Sequence, residues 1–119
     1  MTAFPFKDQR KFPRITSFHL IRSEGLETPS ESQVSNLVEL SEGGLQFTSS
    51  RTLEPSDKLR ITINLRESGR DISVIGKVVW VRPVVDQGKI TLFRVGVSFT
   101  EISEEDLKLI RKFVKNFRQ

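Results

Sequence analysis

The chain has 119 residues, 36% hydrophobic and 29% charged, with 19 Lys and Arg against 15 Asp and Glu and a formal net charge of +4. That length suits one domain with its own core, and the mild basic excess favours an anionic partner without identifying one. With no cysteine and one histidine, disulfides, thiol nucleophiles, thiolate metal sites and most zinc and triad arrangements are excluded, which disfavours an enzyme.

The start, Met1-Thr2-Ala3-Phe4-Pro5, has neither the basic lead nor the apolar core of a signal peptide. No later run approaches the roughly 20 apolar residues of a membrane helix. The sequence therefore predicts a cytoplasmic protein without membrane insertion. From Phe4 to Arg14 the chain carries Lys7, Arg10, Lys11 and Arg14 with two prolines and no amphipathic period. Residues 1–14 are expected to form a flexible basic arm and residues 15–119 a single folded domain.

A first strand is expected over Ile15–Arg22, with no role for His19, and a surface loop over Ser23–Ser32. The second strand sets Val34, Val38 and Leu40 on one side and Leu37, Glu39 and Ser41 on the other, and Leu45 and Phe47 resume the alternation in a third. The stretch Glu39-Leu40-Ser41-Glu42-Gly43-Gly44 joins them as a turn in which Gly43 or Gly44 would supply a positive φ. Pro55-Ser56-Asp57 turns the chain again. The clearest strand follows, Lys58–Arg66, with Leu59, Ile61, Ile63 and Leu65 alternating against polar residues.

After a turn at Gly69, Ile72–Arg82 forms the fifth strand, limited by Pro83. Its second half is apolar on both faces, so it is expected to be covered by the barrel interior and by a helix, with Gly76 permitting a bulge and Trp80 turned into the core or under the helix. Asp86-Gln87-Gly88 is a turn, and Ile90–Phe99 a sixth strand with Phe93, Val95, Val97 and Phe99 inward. Ser103 begins a helix running to Asn116, with Asp106 placed as in a capping box. Leu107, Ile110, Phe113 or Val114, and Phe117 form its apolar stripe, and Lys108, Arg111, Lys112 and Lys115 face away. Turns this short leave no room for parallel crossovers. The fold read from periodicity is a six-stranded antiparallel β-barrel with one C-terminal helix.

Arg10 and Arg14 stand four apart in the arm, before strand one, and the 39–44 turn follows strand two. Arginine presents a planar fork that matches phosphate oxygens or the O6 and N7 edge of guanine, and its plane stacks on bases. A guanine nucleotide satisfies both chemistries.

This pattern resembles the PilZ domain family, whose members carry R-x-x-x-R in the N-terminal arm and [D/N]-x-S-x-x-G in an early strand and turn. Here these read Arg10-Lys11-Phe12-Pro13-Arg14 and Glu39-Leu40-Ser41-Glu42-Gly43-Gly44. The likeness continues through Gly76-Lys77-Val78-Val79-Trp80-Val81, Val95-Gly96-Val97-Ser98-Phe99 and the helix at Ser103. The resemblance implies the same six-stranded antiparallel barrel plus helix, and a non-enzymatic receptor for cyclic di-GMP whose arm orders on binding and signals to an effector protein. No residue pair has the spacing or base for nucleophilic chemistry, so no catalytic residue, metal or cofactor is expected, and with most phenylalanines at inward or helix-facing positions no DNA or RNA partner is expected either.

By the same resemblance Arg10 and Arg14 would hold phosphates and guanine edges, and Ser41 would donate to a phosphate. Gly43 and Gly44 would shape the turn, Gly44 allowing close backbone approach, and Glu39 would read guanine donors. Lys11 and Arg82 would complete the charged rim. Glu39 departs from the family's Asp or Asn by one methylene. The alternatives are a degenerate family member acting as a protein-interaction adaptor without the ligand, and a barrel binding single-stranded nucleic acid.

Overall fold

The computed structural model describes residues 19–27, 32–65 and 69–117, side chains of 116 and 117 excepted. Its elements are β1 (Leu20–Gly25), β2 (Gln33–Leu40), β3 (Gly44–Ser49), β4 (Lys58–Asn64), β5 (Asp71–Asp86), β6 (Lys89–Ile102) and α1 (Glu104–Phe117). Alternation decides how they assemble. In β4 every second residue is apolar, and Leu59, Ile61 and Ile63 are buried while Lys58, Arg60 and Asn64 are exposed. Such a strand is stable only with one face on a core. The other strands meet the same condition by closing into an antiparallel barrel in the order β1-β2-β3-β6-β5-β4. Ile21, Leu45, Phe47, Ile72, Val74, Val78, Val95 and Val97 fill its interior with the β4 residues.

Closure by hairpins fits the turn chemistry. The β5–β6 hairpin has both central residues at positive φ, Gln87 at 52° and Gly88 at 79°, the backbone of a type I′ turn whose twist matches the flanking strands. The β3–β4 connection turns at Ser56 (φ 84°), where Asp57 accepts the Glu54 amide at 2.9 Å on its carboxylate and donates its own amide to the Glu54 carbonyl at 3.0 Å.

The strands differ from periodicity in three places. β1 runs on through Gly25, with Ser23 buried, because residues Leu20 to Gly25 all pair with β4; residues 15–18 lie outside the described residues. In β2, Val34 is 60% exposed and Ser35 is buried, the reverse of the simple alternation. A register shift between Leu37 and Glu39 inserts one residue, so that Leu37 and Leu40 both reach the core. β5 passes through Pro83 to Asp86. Its pairing with β4 ends at Lys77, so beyond that point one edge is open, and an edge tolerates proline. The register shift at Ile75/Gly76 is the bulge that Gly76 permits.

Helix α1 begins as its sequence predicts. The Ser103 hydroxyl accepts the Asp106 amide at 3.1 Å, leaving three acidic residues in the first turn to suit the helix dipole. Asp106 does not complete the capping box. Its buried carboxylate accepts the Ser73 amide of β5 at 3.2 Å and pairs with Arg70 at 2.8 Å. One residue thereby fixes the helix to the sheet. Ile110 and Phe113 are buried in the barrel core, and the Phe113 ring meets His19 edge-on, 5.1 Å between centroids. The helix therefore covers the barrel end where β1 begins. It leaves the outer face of distal β5 open, with Val79 at 47% exposure. Asp106→Ala should lower stability by about 2 kcal/mol, the cost of an orphaned Ser73 amide and a lost ion pair, read as a lower denaturant midpoint at unchanged slope.

Candidate functional site: the outer wall of β2, β3, β6 and β5

Two bulges build this wall. The shift in β2 turns Glu39 outward between inward Leu37 and Leu40. A second shift, between Val78 and Trp80 of β5, does the same for Trp80, while Val78 and Val81 stay on the core side. Glu39, Gln46, Gly96 and Trp80 then stand in register across four strands, roughly 14 Å at the usual ~4.8 Å strand spacing. Thr48, Arg94 and Arg82 form a second row beside them.

Contacts along the first row are specific. Gln46 Nε2 donates to Glu39 Oε1 at 2.7 Å, and Arg94 Nη1 donates to Gln46 Oε1 at 3.4 Å. Gly96 has no side chain, and the Trp80 indole lies where its Cβ would be. The Arg82 guanidinium sits 4.6 Å from the Trp80 ring centroid, a cation–π contact.

The 41–44 turn closes the row at its β2–β3 end. The Ser41 amide donates to the Gly44 carbonyl at 2.9 Å, and the Ser41 hydroxyl accepts the Gly43 amide and donates to the Gly44 carbonyl, each at 3.3 Å. The Gly43 carbonyl accepts the Phe99 amide at 2.9 Å, tying the turn to β6. Neither glycine has a positive φ; that expectation was wrong. Gly44 is required because its missing Cβ would collide with the Val97 carbonyl of β6, whereas Gly43 faces open space. Glu42 pairs with Arg111 of α1 at 2.9 Å, and the hydrogen bond and charge of Glu42 raise the Arg111 pKa.

Of the residues singled out in the sequence, Glu39, Ser41 and Gly43 are exposed along this wall and turn. Gly44 is buried against β6, and Arg82 lies at the opposite edge, over Trp80 and across the ladder from Arg94, whose contact with Gln46 adjoins the Gln46–Glu39 bond. Arg10, Lys11 and Arg14 lie outside the described residues. Trp80 corrects the expectation of an inward tryptophan, because the bulge spends one residue and reverses its face. The unalternating run Val78-Val79-Trp80-Val81 carried that signal. Gln46 and Arg94 were missed, since only cross-strand register brings them beside Glu39 and Trp80.

The wall thus offers an aromatic face, two guanidinium groups, a carboxylate and a hydroxyl-bearing turn. That set suits a flat, anionic, donor-rich ligand. Among the described residues no three His, Asp or Glu side chains cluster as metal ligands, and no helix is long and apolar enough to cross a membrane.

The PilZ domain family model matches residues 8–116. Among solved structures, Klebsiella pneumoniae MrkH in its apo state superposes with a TM-score of 0.75 at 16% identity, covering 96% of this chain and 52% of MrkH. Bacillus subtilis MotI/DgrA gives 0.72 at 15% identity, covering 92% of this chain and 51% of its own. The PilZ domain of Escherichia coli YcgR, solved with c-di-GMP, gives 0.67 at 15% identity, covering 92% of both chains. The chain therefore spans about half the length of MrkH and MotI. No curated protein matches the sequence. With a family model that spans nearly the whole sequence and the six-stranded barrel and helix found in these structures, the chain belongs to the PilZ domain family.

Proposed function

We propose that this chain is a non-enzymatic cytoplasmic receptor domain that binds cyclic di-GMP on its outer wall and signals to an effector protein through ordering of its N-terminal arm. The observation that carries this reading is the register of Glu39, Gln46, Gly96 and Trp80, which sets a carboxylate and the Ser41 turn at one end of a row and a tryptophan–arginine pair at the other. One guanine stacks against Trp80 in place of the Arg82 guanidinium, with Gly96 leaving the ring room to lie flat on the sheet. Glu39 accepts the guanine N1 and N2 donors, and Ser41 exchanges its long bond to Gly44 for a phosphate oxygen. Arg10, Lys11 and Arg14 close over the ligand from the arm. YcgR and MrkH, both solved with c-di-GMP, support the ligand class. MrkH is named as a c-di-GMP-dependent transcription regulatory factor, and the expected absence of a DNA or RNA partner draws no support from it.

Calorimetric titration tests the reading. Cyclic di-GMP should give saturable heat, while GMP and a single-stranded oligonucleotide give none. One observation favours the adaptor alternative: the Glu39 carboxylate is already engaged by Gln46. Silence with cyclic di-GMP is that alternative's result.

The Gln46 contact also sharpens the role of Glu39. Its extra methylene lets it reach sideways to β3, so binding guanine requires breaking a 2.7 Å bond. Glu39→Asp should release Gln46 and tighten cyclic di-GMP binding severalfold, the gain of about one net hydrogen bond. The melting temperature of the free protein should be nearly unchanged, because position 39 is exposed. Equal or weaker binding by this variant would show that the methylene is not the limiting feature.

A further inference from the structure

Arg82 and Arg94 stand directly opposite one another on β5 and β6, both on the outer wall. Like charges at directly opposed positions of an antiparallel pair repel and destabilise it. Natural sheets usually place a carboxylate or a neutral group across from arginine, yet neither side chain has an ion pair among the described residues. Arg82 lies over Trp80. Arg94 makes a single 3.4 Å contact with Gln46, long for a hydrogen bond, and its Nε is buried with no partner. An unsatisfied buried guanidinium donor is costly, and an arrangement that costs stability without a structural return is a feature of functional sites. An oxyanion with several acceptor oxygens lying between the two guanidinium groups offsets their repulsion and accepts from their terminal N–H groups. Arginine's fork matches a phosphodiester in this way.

We propose that Arg94, with Arg82 facing it, forms a phosphate grip on the barrel wall that takes one phosphodiester of a cyclic dinucleotide. The inference rests on the proposed function and adds to it a residue that lies outside both sequence motifs. A cyclic dinucleotide carries its two phosphodiesters on opposite sides of one macrocycle, so one arginine cluster neutralises only one of them. The row of Arg94 and Arg82 adjoins the row of Gly96 and Trp80, which places the grip beside the ring on which a base would stack. Gln46 positions the pair of functions, since its amide oxygen receives Arg94 and its amide nitrogen holds Glu39.

The test uses the full chain and cyclic di-GMP, in Arg94→Gln, Arg94→Lys and Arg82→Gln variants, each with a ligand-free thermal melt. Arg94→Gln should weaken binding about tenfold or more, the loss of a charge-assisted bond, and flatten the salt dependence of affinity. Arg94→Lys should retain part of the affinity through its charge. The free Arg94→Gln protein should melt at the same temperature as wild type or higher, because like-charge repulsion and an unpartnered donor are both removed. Wild-type binding with Arg94→Gln and Arg82→Gln within twofold of it would overturn the proposal. So would weakened binding accompanied by a lower melt of the free variant, which would make Arg94 structural. Absence of binding by wild type itself overturns the receptor reading, and this grip with it.

Discussion

Replacing Arg10 and Arg14 together by alanine is expected to weaken cyclic di-GMP binding by about 10²- to 10⁴-fold, because each removes charge-assisted hydrogen bonds worth roughly 1.5–3 kcal/mol. Both residues precede the first strand and carry no apolar period around them, so the sequence assigns neither a core position. The melting temperature of the free double variant should therefore match wild type. Calorimetry on the two single variants should show about tenfold to hundredfold losses apiece. Titrations unchanged in both, on folded protein, would remove the arm from the site.

The second large effect is one of stability. Gly44→Ala should cost about 3 kcal/mol, at the upper end for a small-to-large change in a packed site. Its new Cβ meets the Val97 backbone carbonyl and the Ser98 Cα at 3.3 Å, and backbone held in the β3–β6 ladder cannot move aside as a flexible side chain would. Gly43→Ala, one position away, has open space and no positive φ and should change stability by no more than about 0.5 kcal/mol. Denaturant unfolding of the two variants separates them. Comparable losses in both would mean that the turn's conformation, rather than the approach of β6, demands glycine.

The same contrast shows what could be read before the structure. Where one face is buried and the other wet, as in β4, alternation named the inward residues Leu59, Ile61 and Ile63 directly. The helix was legible because its cap, acidic first turn and apolar stripe are all local, and Asp86-Gln87-Gly88 because its backbone demand is local too. Bulges are not local. Leu37/Glu39 and Val78/Trp80 shift register only relative to a neighbouring strand, so period-two counting put Val34 on the same side as Leu40 and turned Trp80 into the core or under the helix.

Glycine shows a similar limit. A turn explains Gly43 and Gly44 equally well on paper, whereas the carbonyl that excludes a side chain at Gly44 belongs to β6, more than fifty residues later. Asp106 was legible as a helix-start residue, but not as the link to Ser73 and Arg70. At the candidate site, Glu39 and Ser41 stand out by motif and Arg82 by residue type alone. Gln46 and Arg94 acquire meaning only once the strand order β2-β3-β6-β5 places them between Glu39 and Trp80.

In the proposed complex, cyclic di-GMP lies on the outer wall between the Ser41 turn and Trp80. Amide NMR of the ¹⁵N-labelled chain during titration tests it most directly, since the single tryptophan makes the indole N–H an unambiguous reporter. Saturable shifts are expected at the Trp80 indole and at the amides of Ser41, Gly43, Gln46 and Gly96, with Arg60 and Thr62 of β4, which has no part in that wall, unmoved. A spectrum that does not change, or saturable shifts confined to β1 and β4, would contradict it.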